Sequence, residues 1–335
     1  MMELLFKTLR VSANSEKQPG SAQGFTLIEL LIVVLIAGGI ISGLMFLVVE
    51  LLTADQREAS RNQTQQEMQL ALDYISAELR EAVYVYDADC MSTSAVSTVT
   101  DPAYCPGLLN HLPTAFNSAE VTPILAFWKQ EPLQSDIREA CGDGTVLHGT
   151  PCIGGHAYAL VIYSTDTRDP NNIWDGLSRI TRYELNKYTV GSGSYSETTG
   201  YVDPSSYGNE FKSWPYFQGT GDSTLVNKQA GLPTGSSDVL VDFVDNVARN
   251  VSCPNETDPA VDPDEGYKYS APKGKLTGFY GCVSANDDTA NNRDVILYLR
   301  GNAYGRPTIN TQNAFLPMIE TQVLNRPVLD KTTTE

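Results

Sequence analysis

Between Leu30 and Val49 the chain reads LLIVVLIAGGIISGLMFLVV, without one charged residue. At about 1.5 Å of rise per residue this run makes roughly 30 Å of apolar rod, the thickness of the hydrocarbon core of a bilayer. Such a rod must be covered by lipid or by protein, and that demand limits the fold more than any other feature. An ordinary secretory signal carries its cleavage site after the apolar stretch, following small residues. Here the stretch ends in Val48, Val49 and Glu50, and no such site follows. Lys7, Arg10 and Lys17 precede the run and few basic residues follow it closely. By the positive-inside bias the leading segment stays in the cytoplasm and everything after Val49 lies across the membrane.

Past Glu50 the segment LLTADQREASRNQTQQEMQLALDYISAELREAVYVY holds neither Gly nor Pro. Met68, Leu72, Ile75, Leu79 and Val83 recur at steps of three or four, one apolar stripe on a helix that needs a sheet to cover it. The pattern predicts a single helix over 25–86. Residues 25–49 form its apolar part and 50–86 an amphipathic continuation, with the Gln- and Asn-rich stretch 55–67 as a solvated neck. Gly38, Gly39 and Gly43 weaken helix propensity by about 1 kcal/mol each against Ala, and in a membrane they allow close helix approach.

Strands are expected at Val121 to Lys129, His156 to Thr165, Ser178 to Tyr188, Val239 to Val247 and Val295 to Tyr304, where β-branched and aromatic residues are bounded by Gly, Asp, Asn or Pro. Gly 26, Pro 18 and Tyr 17 suit many short strands. The expected class is therefore α+β: a long N-terminal helix packed on an antiparallel sheet in a β-rich globular domain, 87–327. Residues 191–237 and 255–273 read as long surface loops and 328–335 as a flexible tail.

Six cysteines, Cys90, Cys105, Cys141, Cys152, Cys253 and Cys282, all follow the apolar run, which fits disulfides in an oxidising compartment. They allow about 15 connectivities, among which sequence-local pairing is the expectation: Cys90 with Cys105, Cys141 with Cys152, Cys253 with Cys282. No CxxC occurs, and His111, His148 and His156 complete no familiar zinc spacing. A net charge of -17 argues against nucleic acid as a partner, because phosphate binding needs clustered Lys and Arg. Asp258, Asp262, Asp264 and Glu265 offer hard oxygens for calcium, but their spacing departs from an EF-hand loop.

On the near side of the apolar run stands Gly24, followed by Phe25, Thr26, Leu27, Ile28 and Glu29. GFTLIE resembles the recognition site of type IV prepilins and type II secretion pseudopilins. The resemblance implies that residues 1–24 are a leader removed between Gly24 and Phe25 by a prepilin peptidase, that Phe25 is then N-methylated, and that Glu29 serves assembly. A carboxylate carried toward the bilayer centre costs about 2.5–3.5 kcal/mol, so Glu29 calls for a partner, and a freed α-amine is the natural one. The motif, the helix and the strand-rich remainder together resemble a large minor pseudopilin of the J and W types. YISAELREAVYVY and FLPMIETQVLNRP are similar to the hormogonium polysaccharide secretion pseudopilins of filamentous cyanobacteria.

What the resemblance implies is a pilin-like, non-enzymatic structural and priming subunit of a filament that supports secretion or motility. It would be inserted once in the bacterial inner membrane with its C-terminal domain in the periplasm, and then packed into a filament. Its partners would be other pilins or pseudopilins, the inner-membrane assembly platform and a cytoplasmic ATPase, with no cofactor beyond calcium in the acidic loop. An alternative is a filament-tip adhesin or glycan-binding module. Tyr201, Tyr207, Phe211, Trp214, Tyr216 and Phe217 crowd a Gly/Ser-rich stretch, and aromatic faces stack on sugars. A membrane-anchored periplasmic enzyme is a third reading, but the chain carries no GxSxG, HExxH or P-loop pattern.

Overall fold

A computed structural model describes residues 24–101, 104–133, 135, 137, 156–191, 194–207, 211–218, 224–248, 250–254, 266–271, 274, 276–284, 294–312 and 315–324. The expected leader before Gly24, the tail 328–335, the Cys141/Cys152 pair and the acidic group Asp258, Asp262, Asp264 and Glu265 lie outside these residues. By internal contacts the chain divides into two units, 1–54 and 55–335.

The first unit holds the opening of helix α1 (Leu27–Leu79). Its apolar side chains are exposed throughout and it is long and apolar enough to cross a membrane. Gly38, Gly39 and Gly43 do not interrupt it, and a Cβ added at any of them would meet nothing within 4 Å.

In the second unit the strands are β1 (Ala82–Val85), β2 (Val121–Pro132), β3 (His156–Asp166), β4 (Arg179–Leu185), β5 (Tyr188–Gly191), β6 (Ser194–Glu197), β7 (Tyr216–Gln218), β8 (Leu225–Asn227), β9 (Asp238–Val241), β10 (Tyr267–Tyr269), β11 (Phe279–Ser284), β12 (Val295–Arg300) and β13 (Met318–Val323). They form an antiparallel five-stranded sheet in the order β1-β2-β3-β4-β9, an antiparallel four-stranded sheet β10-β11-β12-β13, and the hairpins β5-β6 and β7-β8. All five expected strands are present. Instead of one sheet over the helix stripe there are two.

Both sheets meet the stripe. Met68, Ala71, Leu72, Ile75 and Leu79 share one apolar cluster with Phe127, Val161 and Ile180 of the larger sheet and with Phe279, Leu297 and Leu299 of the smaller. Each such aliphatic side chain, fully buried, contributes about 1.5–3 kcal/mol. Gly301, which forms a bridge with Val244 between the two sheets' extensions, lets the helix come close, since a Cβ there would stand 2.8 Å from Met68 Cγ. The other face of the larger sheet is also covered: Ala126, Trp128, Leu160 and Ile162 point into a second cluster closed by Tyr201, Phe211, Trp214 and Phe217. Because β2 and β3 bury both faces, they read in the sequence as continuous apolar runs rather than alternations.

Three expectations need correction. The helix stops at Leu79, where the N–H of Glu81 tightens onto the Glu78 carbonyl (3.0 Å), and Ala82–Val85 becomes an edge strand paired with β2. AVYVY is β-branched and aromatic, and Val83 and Tyr84 pack in the second cluster while Ala82 and Val85 face the first. The stretch 55–67 is not simply solvated. Ser60 and Thr64 are buried, Ser60 Oγ donates to the Pro307 carbonyl (3.1 Å), Arg306 pairs with Glu67, and the Arg61 guanidinium lies 5.6 Å above the Phe315 ring. Finally, much of 191–237 is built structure, holding β6, the β7-β8 hairpin and the aromatic side chains that close the second cluster.

Two disulfides match the sequence-local pairing. Cys90–Cys105 (Cα–Cα 5.6 Å) sits in the second cluster and Cys253–Cys282 (5.7 Å) in the first.

Candidate functional site

Thr26 begins the helix: its hydroxyl accepts from the Glu29 N–H (3.4 Å), as does its carbonyl (3.1 Å). Thr-x-x-Glu is the capping-box spacing, a signal present in the sequence but overlooked there beside the cleavage motif. Capping places Glu29 in the first turn, where a negative charge suits the positive end of the helix dipole. Gly24 and Phe25 precede the helix and are exposed, and a Cβ at Gly24 would meet nothing within 4 Å. The segment is therefore open backbone leading into an apolar helix. The Glu29 carboxylate meets no partner among the described residues.

The densest group of titratable side chains lies in the second unit and was not anticipated. Glu78, at the end of α1, accepts from Arg182 Nε (2.9 Å) and Nη2 (2.7 Å), from Lys129 Nζ (2.7 Å) and from the Tyr163 hydroxyl. Arg182 also forks onto Glu184 (3.0 and 3.1 Å), and Lys129 pairs with Glu131. Burial alone would raise the Glu78 carboxyl, but donors from Arg182, Lys129 and Tyr163 outweigh it and hold the group below its usual range. Burial likewise opposes Glu184, which Arg182 and its neighbours hold down to about 2. Glu131 is pushed up, by burial first and then by the adjoining Glu184 carboxylate, against the pull of Lys129. Lys129 loses by burial and gains more from Glu131 and Glu78, so it stays firmly protonated. The cluster ties the helix end to β2 and β4 through charge-assisted bonds. Its residues come from three distant places in the sequence, Glu78, Lys129 and the Arg182/Glu184 pair of β4, and no local pattern announces them together.

The crowded aromatic residues do not make an open platform. Trp214 is fully buried with its indole N–H donated to the Val202 carbonyl (2.8 Å), Phe217 is equally enclosed, and Phe211 stacks on Tyr84 at 5.9 Å. Tyr201 is buried and donates to the Tyr158 carbonyl (2.7 Å), while Tyr216 is partly covered beside His111. The Tyr207 side chain and the calcium candidates fall outside the described residues.

Comparison with protein-family models, with curated proteins and with solved structures found no match to this chain.

Proposed function

We propose that the chain is a minor pilin or pseudopilin: it is inserted once in a bacterial inner membrane, cut between Gly24 and Phe25, and packed through its apolar helix into a secretion- or motility-linked filament. One observation carries the reading. An exposed Gly24–Phe25 bond opens directly onto a Thr26-capped helix that places Glu29 in its first turn, immediately before an uncharged span. Cutting there frees an α-amine about one turn from a carboxylate, and both stand at the border of hydrocarbon, where each needs the other or a neighbour's equivalent. Two disulfides in the second unit agree with passage into an oxidising compartment. Keeping Glu29 suits a subunit that has another above it in the filament. The burial of Trp214, Phe217, Phe211 and Tyr201 favours this assembly role over glycan binding by those rings.

Mass spectrometry of the full chain from its native membrane tests the reading. A chain starting at methylated Phe25 is expected; a start at Met1, or one beyond Val49, overturns it. Glu29→Gln should leave processing intact and remove the subunit from filaments.

A further inference from the structure

Between α1 and β9 lies a groove of about 610 Å³, contained wholly in the second unit. One wall is the flank of α1 at Leu70 and Tyr74, the floor is 239–243, and the lip is Ile173 and Trp174. These four side chains are unusually bare for large apolar groups: Leu70 is 70%, Ile173 66%, Tyr74 46% and Trp174 38% exposed. Exposed residues of this kind gathered around one cleft mark an interaction surface rather than scattered surface leucines. The lip is set in advance, since the Asp169 carboxylate accepts the N–H groups of Ile173 (2.9 Å) and Trp174 (3.2 Å), and the Trp174 ring lies 5.6 Å from the buried Arg179 guanidinium.

β9 ends the five-stranded sheet, and its outer side pairs with no strand among the described residues. A bare strand edge beside an apolar wall has the makings of a strand-addition site, with main-chain bonds supplying affinity and alternate side chains supplying specificity. The rim selects the visitor's charge. Asp175 at the lip and Asp242 on the floor enter no ion pair among the described residues, while Arg306, which also lines the groove, is buried and already paired with Glu67, and Arg179 lies buried beneath the Trp174 ring. We propose that this groove receives an extended segment of a different protein, one that alternates apolar and basic residues and adds to the edge of β9.

A second copy of the chain fits less well. Among the described residues, the other edge strands of the two larger sheets are β1 (AVYV), which has no base, β13 (MIETQV), which brings Glu320 and no base, and β10, whose Lys268 is already 3.7 Å from Asp89. With a net charge of -17, two copies meeting at this rim repel.

The test uses the full chain in detergent and three labelled hexapeptides: Val-Lys alternating, Val-Glu alternating and Ser-Lys alternating. Fluorescence anisotropy should rank Val-Lys roughly 10-fold or more above the other two, and the double variant Leu70→Ser/Ile173→Ser should lose roughly 10-fold. Both changed side chains are solvent-exposed, so the fold should survive, which circular dichroism checks. Amide exchange at 238–241 should slow when Val-Lys is bound. Equal binding of all three peptides, binding indifferent to the double variant, or no protection at 238–241 overturns the proposal. Self-association abolished by the double variant also overturns it and gives the groove to a second copy.

Discussion

Glu184 and Glu131 are neighbours that titrate in opposite directions, and the pair makes a sharp acid-stability experiment. The folded Glu184 carboxyl lies at about 2 against an ordinary 4.5, so its stabilisation is present above pH 4.5 and is lost as pH falls toward 2. Glu184→Gln should flatten the stability curve across that window and cost about 1–2 kcal/mol at neutral pH, a figure reduced for its 22% exposed side chain. Glu131 is raised, so the protein is favoured by its protonated form and loses that advantage as pH climbs through the folded value. Glu131→Gln should therefore be neutral or stabilising at pH 7, as read by urea denaturation. Gly278 is a second residue with a definite requirement. A Cβ there would stand 2.2 Å from the Asp245 carbonyl oxygen, in the hydrogen-bonded corner where Arg300 Nε meets Asp245 (2.6 Å). Gly278→Ala should lower stability by about 2 kcal/mol or more in the same assay. Neither requirement was legible in the sequence, because each depends on partners brought from distant strands. The Thr26–Glu29 cap was legible and needed only its three-residue spacing.

Helix α1 shows what periodicity can and cannot tell. The stripe Met68, Leu72, Ile75 and Leu79 was readable and is the core of the β-domain. Val83 continued the arithmetic but not the helix, because a β-branched, aromatic AVYV run gains a strand partner in β2. Leu72→Ala should cost about 3 kcal/mol, while Leu70→Ala, two positions away on the exposed side, should change thermal unfolding by about 0.5 kcal/mol or less. β2, β3, β4, β9 and β12 were visible as β-branched and aromatic runs bounded by turn residues, rather than by periodicity. β5 to β8, β10, β11 and β13 were not, being short, polar or interrupted by glycine, as in FYGCVS.

For the molecule as a whole, the disulfides among the described residues close segments separated by 15 and 29 residues, for which chain-entropy reasoning gives about 3 and about 3.5 kcal/mol. Cys253→Ser/Cys282→Ser should thus lower stability more than Cys90→Ser/Cys105→Ser, measurable by denaturant midpoints on chains that are otherwise identical. The α+β class and the membrane-capable helix were evident from composition and one uncharged run. The division of the β-structure into two sheets was not, since antiparallel neighbours are chosen by long-range packing. That packing also fixes a timetable. The stripe on α1 leaves the ribosome early, yet the β12 side chains that seal it follow roughly 200 residues later, about 10–40 s at ordinary translation rates. During that wait the ridge is covered on the side of the larger sheet alone, so a slowed ribosome would lengthen the exposure of its other flank to proteases.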